Sequence, residues 1–235
     1  MEKKIFIVSL ILVLLTITIS AQFKASGVKW DESYTFDLNN VTKIEFYQNG
    51  KLMRTMTYRT CYQSDGDNFD VKYMPEGRGM AFETILDKKN QVGIQIMGVP
   101  QAPNTTYNAG AYKYVPDNEL KKLDLVATSE TKSIAGFNCK KYTYTYQKIF
   151  GEVWITDEVN LSNDLGMFRS CKMIAKHNTL SVPGFVMEMT TEDAKGGKTL
   201  MTTVSLKNQE KYTVNLKGVD MSTAINKVSY FIINL

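Results

Sequence analysis

A cysteine followed directly by two lysines, Cys139-Lys140-Lys141, opens a run in which tyrosine and threonine alternate, Tyr142-Thr143-Tyr144-Thr145-Tyr146. Two chemistries suit this stretch. Lysine charges beside a thiol can lower its pKa and make it a nucleophile. If the run is a strand, its period of two puts Tyr142, Tyr144 and Tyr146 on one face and Lys141, Thr143 and Thr145 on the other. A row of rings with polar tips can hold a partly apolar ligand. Trp154, on the next expected strand, would extend that row, and Met187 and Met189 would line the same site with flexible thioethers suited to variable acyl chains. The plainer use of the same residues is packing. Tyrosine and threonine are strong strand formers, cross-strand aromatic pairs stabilise sheets without a ligand, and methionine fills gaps in ordinary cores.

The nucleophile reading finds no support elsewhere. The single histidine, His177, lies in the polar stretch Lys176-His177-Asn178, with no second histidine to complete a metal pair. There is no Gly-x-Ser-x-Gly elbow, phosphate-binding glycine loop or His-Glu-x-x-His. The acid pairs Asp157-Glu158 and Glu192-Asp193 stand beside expected turns, as solvated charges do. The expectation is a non-enzymatic protein with no cofactor, no metal and no catalytic residue.

The formal net charge is +4, and lysines and acids are interspersed without a basic block. Nucleic-acid binding normally needs a clustered basic face, so that class is excluded. At the start, Lys3-Lys4, the apolar run Ile5 to Ile19 and the small residues Ser20-Ala21 before Gln22 have the form of a secretory signal peptide. The expected division is residues 1–21 as signal peptide and 22–235 as a single β-rich domain. The product would be secreted across the inner membrane, periplasmic or extracellular, with no stable membrane span after cleavage. In an oxidising compartment the three cysteines allow one disulfide and a spare thiol. A bridge between Cys139 and Cys171 would pin a helix across the sheet and leave Cys61 free. Other pairings, and three buried thiols, stay open.

The elements that would position these residues are mostly strands. Alternation runs through Val41 to Tyr47, Leu52 to Tyr62, Phe69 to Tyr73, Met80 to Leu86 and Val92 to Met97. It resumes in Asn138 to Gln147, Val153 to Thr156, Phe185 to Thr191, Thr199 to Lys207 and Lys211 to Leu216. Asn49-Gly50, Gly136 and Ala194-Lys195-Gly196-Gly197 mark turns. Residues Gly98 to Leu120, with Pro100, Pro103 and Pro116, read as a long surface loop. One helix is expected around Leu165, Phe168, Cys171 and Ala175. The fold class is therefore mainly β, a curved antiparallel sheet or open β-barrel with one or few helices.

The stretch Glu130 to Tyr144, followed by Glu152 to Thr156, resembles the signature of a secreted bacterial family known as domain of unknown function 4412. Ile134, Ala135, Gly136, Phe137, Cys139, Lys140, Lys141, Tyr142 and Trp154 occupy its positions. Thr84 to Gln91 and Pro183 to Met201 resemble its two hairpins, and the Ser-Ala-Gln at the signal's end fits Bacteroidetes. The family's usual Pro-x-Gly-Tyr close is reduced here to Gly218. The resemblance implies an architecture similar to periplasmic lipoprotein carriers of the LolA and LolB kind, an open barrel around a hydrophobic cavity. A lipid or lipoprotein acyl chain would be the ligand. The alternative is a structural or sensing module that meets an envelope protein partner.

Overall fold

The computed structural model describes residues 28–63, 68–74, 82–98, 102–112, 115–161, 177–221 and 223–224. The expected signal peptide, the helix around Leu165 to Ala175 with Cys171, and most of the tail after Asp220 lie outside the described residues.

Twelve strands form one sheet in the order β14-β6-β5-β4-β3-β2-β1-β13-β12-β10-β9-β8. In chain order these are β1 (Ser33–Gln48), β2 (Lys51–Tyr62), β3 (Phe69–Met74), β4 (Phe82–Asp87), β5 (Val92–Met97) and β6 (Thr106–Ala111). A short two-stranded sheet, β7 (Lys122–Leu123) with β11 (Thr179–Leu180), stands apart. The large sheet continues with β8 (Val126–Ile134), β9 (Phe137–Tyr146), β10 (Ile149–Thr156), β12 (Phe185–Asp193), β13 (Gly197–Asn215) and β14 (Thr223–Ala224). Every pairing in it is antiparallel except β14 with β6. Its edges, β14 and β8, do not meet, so the barrel is open. Among the described residues the helical content is one 3-10 turn, Asp117–Glu119.

The turn chemistry holds. Asn49 and Gly50 both take positive φ, 50° and 77°, which a two-residue hairpin requires. This places Gln48 opposite Lys51, and a register shift between Phe46 and Tyr47 then sets Ile44 opposite Met56. Two readings need correction. The expected loop from Gly98 to Leu120 contains β6, whose run Thr106-Tyr107-Asn108-Ala109-Gly110-Ala111 pairs with β5 along its whole length. Its small residues conceal the strand from periodicity but let it sit close, with Ala109 fully buried opposite Ile94. The expected strands Thr199 to Lys207 and Lys211 to Leu216 are parts of one long strand, β13, which runs along β1 through two register shifts.

Those shifts matter for the faces. Between Phe36 and Leu38 the pairing slips by two residues, and the two side chains, two residues apart, enter different clusters. Phe36 packs with Ile85, Ile94 and Val214, while Leu38 packs with Tyr62, Phe69 and Leu86. The apolar interior is thus divided into three clusters distributed along the sheet.

Candidate functional site

The tyrosine strand β9 lies between β8 and β10. A two-residue turn at Gln147-Lys148 sets Tyr146 opposite Ile149, Tyr144 opposite Gly151 and Tyr142 opposite Val153. The three tyrosines share a face, as alternation requires, but they differ in environment. Tyr144 is buried, and its hydroxyl hydrogen donates to the Thr190 carbonyl at 2.7 Å, or shares with Thr191 Oγ1 at 2.8 Å. Burial pushes the Tyr144 phenol up to about 12. Tyr142 and Tyr146 are half-buried at the fringe of the same cluster.

Gly151 makes the seat for Tyr144. A Cβ at this position would lie 2.0 Å from the Thr190 carbonyl oxygen and 2.6 Å from the Tyr144 hydroxyl. The first of these is backbone and cannot swing away. Gly151→Ala is therefore expected to destabilise the protein by about 3 kcal/mol, the upper end for overpacking. Chemical denaturation of the variant checks this, and a loss under about 0.5 kcal/mol, an ordinary surface effect, would contradict the contact.

Around Tyr144 the cluster contains Ile44, Tyr58, Val153, Met189 and Met201 from the large sheet. Leu123 and Leu180, from the small sheet, pack in it too, so β7 and β11 lie across this face as a flap. The flap is fastened within itself: Lys121 N–H donates to Asn178 Oδ1 at 2.8 Å, Asn178 N–H to the Lys121 carbonyl at 3.0 Å, and Ser181 N–H to the Leu123 carbonyl at 2.9 Å. Beside it a fringe of half-buried apolar side chains remains, with Phe46, Met56, Tyr142, Tyr146 and Ile149 on the sheet and Leu125 and Val182 on the flap strands' continuation. His177 meets Tyr146 edge-on, ring centroids 4.7 Å apart.

Trp154 does not extend the tyrosine row. The same turn register puts it opposite Lys141, on the other side of the strand from Tyr142. Its ring is buried with Cys139, Phe185 and Met187 and lies under two ammonium groups, Lys132 Nζ at 4.2 Å and Lys141 Nζ at 5.7 Å. Glutamates hold both lysines there: Lys132 pairs with Glu188 at 2.7 Å, and Lys141 with Glu152 at 2.8 Å and Glu130 at 3.0 Å. The two methionines separate as well. Met189 joins Tyr144 and Met187 joins Trp154, because the β10–β12 pairing slips between Trp154 and Ile155 and reverses the parity of β12. The six residues expected at one site thus form two groups: Tyr142, Tyr144, Tyr146 and Met189 in one, Trp154 and Met187 in the other.

Cys139 is a buried thiol, and burial raises its pKa. The adjacent lysines are engaged elsewhere, Lys140 with Asp157 at 3.4 Å and Lys141 with its two glutamates. An unactivated, enclosed thiol of this kind is inert packing. Cys61 is likewise buried and free; Cys171, the other half of the expected bridge, lies outside the described residues. Among the described residues no three His, Cys, Asp or Glu side chains converge in a way that could hold a metal.

A polar cluster that the sequence reading missed lies elsewhere on the sheet. Asp70 and Glu83, on β3 and β4, are buried at 0% and 1% exposure. Lys72, Arg59 and Tyr212 surround them. A signal existed: in Phe82-Glu83-Thr84-Ile85, Glu83 shares its face with Ile85, so a charge stood at a core position.

No family model matches the chain, and no curated protein matches it. Among solved structures it is similar to PNGF-II, at 14% identity and a TM-score of 0.41 over 82% of this chain. It is similar to MucB in complex with MucA(peri), at 12% identity and 0.38 over 72%. It is also similar to a LolA superfamily protein from Nitrosomonas europaea, at 12% identity and 0.28 over 78%. The chain spans 31% of the PNGF-II chain, 50% of the MucB chain and 89% of the LolA superfamily chain. At these identities and TM-scores no residue's role carries across.

Proposed function

We propose that this is a non-enzymatic envelope protein that holds the apolar part of an amphiphile, a lipid or a lipoprotein acyl chain, against the tyrosine face of the open sheet. One observation carries the reading: the fringe beside the flap, where Phe46, Met56, Tyr142, Tyr146 and Ile149 are half-buried and contiguous with a closed apolar cluster. Such a surface offers a chain hydrocarbon contact on one side and phenol hydroxyls at its border, and methionine lets it fit chains of different shape. Tyr144, Met189 and Met201 form the floor and not the contact surface. The resemblance of Ile134 to Tyr142 and of Trp154 to the secreted family of domain of unknown function 4412 supports a periplasmic or extracellular setting, as does the signal-like start of the chain. Trp154 and its lysines lie on the other side of the strand from this face.

The test is binding of a fluorescent fatty acid, together with native mass spectrometry of protein recovered from its own envelope. Tyr146→Ser with Met56→Ser is expected to weaken fatty-acid binding by about tenfold or more, each contact being worth on the order of 1 kcal/mol, while the melting temperature stays within a few degrees. No bound lipid in the native protein and no fatty-acid binding by the parent would overturn the proposal.

A further inference from the structure

Three hairpin tips lie side by side at one end of the sheet. The β1–β2 and β12–β13 tips are joined directly: Asn49 N–H donates to the Gly196 carbonyl at 2.8 Å and Gln48 Nε2–H to the Lys195 carbonyl at 2.9 Å. The β9–β10 tip adjoins them through Ile149 opposite Asp193. Large apolar side chains stand out from this end. Leu52 is 47% exposed, Met53 62% and Phe150 47%. Leu52 and Phe150 belong to one cross-strand row, Leu52–Tyr47–Lys198–Glu192–Phe150. At the usual strand spacing the row holds them roughly 19 Å apart on the same face. They stand at the two ends of one row, with Tyr47 and the Lys198–Glu192 ion pair between them.

The charges around the row are unbalanced. Lys43 is paired with Glu45 and Lys198 with Glu192. Lys51, Arg54, Lys148 and Lys195 are all exposed and make no ion pair with a described residue. The one acid left among them is Asp193, whose Oδ1 accepts the Lys195 and Gly197 backbone N–H groups. Four unpaired cations against one acid concentrate positive charge at this end, in a chain whose formal net charge is only +4.

We infer that the three tips form a docking surface for an anionic lipid bilayer, with Leu52, Met53 and Phe150 entering the interface and Lys51, Arg54, Lys148 and Lys195 contacting lipid phosphates. The surface goes beyond the amphiphile site and does not depend on it, since it shares none of that site's residues. Exposed apolar groups flanked by cations are what binding to a charged membrane surface requires. A basic residue near such a surface contributes a factor of about five, and apolar insertion adds to it. The occupant is a bilayer and not an acidic protein because the cations neighbour separate apolar side chains on projecting hairpin tips, an arrangement that inserts into an interface without needing a recess.

Protein beginning at Gln22, which leaves out the apolar run Ile5 to Ile19, is mixed with vesicles of phosphatidylglycerol and phosphatidylcholine and sedimented. Binding is expected to the anionic vesicles, to fall as salt rises, and to be near background on pure phosphatidylcholine. Lys51→Glu with Lys148→Glu is expected to weaken it by more than about tenfold. Leu52→Ser with Phe150→Ser should weaken it at every salt concentration, with the melting temperature of both variants unchanged. Absence of binding to phosphatidylglycerol vesicles, equal binding to both lipids, or binding that survives both pairs of substitutions would overturn the inference.

Discussion

Tyr144→Ala is expected to lower stability by about 3 to 5 kcal/mol, the usual cost of deleting a large buried aromatic. Tyr142→Ala and Tyr146→Ala should each cost well under half as much. The difference follows from environment. Tyr144 closes a cluster with Val153, Met189 and Met201, and its removal leaves a cavity beside Gly151, which has no side chain to fill it. It also strips the Thr191 hydroxyl of a buried partner. In a chain of this size the loss corresponds to a fall in Tm of roughly 10 °C. Tyr144→Phe separates the two contributions: it keeps the ring and should cost only about 1 kcal/mol for the lost hydrogen bond. Urea unfolding of the four single variants measures the series. Equal costs at all three tyrosines would mean that the row is a uniform surface, and the division into floor and fringe would fail.

That division was partly legible in the sequence. Alternation alone puts Tyr142, Tyr144 and Tyr146 on one face, and it does. Placing Trp154 needed the turn as well. Because Gln147-Lys148 is a two-residue connection, Tyr146 must face Ile149, and counting back along both strands sets Trp154 against Lys141. The separation of Met187 from Met189 was not legible in the same way. It depends on a slip in β12 that no turn residue announces, and bulges arise from the fit of neighbouring strands. The flap was equally hidden. Two-residue strands such as Lys122-Leu123 and Thr179-Leu180 are too short for any period, and they pair across 57 positions of chain. Long-range closure of this kind is decided by apolar burial of Leu123 and Leu180, not by local propensity.

The buried charges set the other large expectation. Glu83→Ala should destabilise by about 2 to 3 kcal/mol, because it leaves the half-buried Lys72 ammonium and the Tyr212 hydroxyl without their charged acceptor. Glu83 accepts the Tyr212 hydroxyl hydrogen at 2.6 Å and pairs with Lys72 Nζ at 3.3 Å. The Arg59 guanidinium lies 3.8 Å from the Tyr212 ring centre and 4.0 Å from Asp70 Oδ2, too far for a strong pair. Asp70 is thus enclosed beside a carboxylate with weak compensation. Burial first, and then the Glu83 charge, raise its pKa well above the ordinary carboxylate range. The folded protein accordingly keeps a proton on Asp70 that the unfolded chain has already released, and a stabilising contribution fully present below the ordinary aspartate value of about 3.9 is lost as pH rises through the folded value. Asp70→Asn supplies a permanently neutral group with a donor for Glu83. It is expected to be more stable than the parent at neutral pH, on the order of 1 kcal/mol, and the advantage should shrink toward zero as pH falls to about 4. The difference between the two proteins isolates this group, since every other carboxylate is common to both. A constant difference across that pH range would mean that Asp70 titrates normally, and the cluster would then be a solvated ion pair of the kind found on any sheet surface.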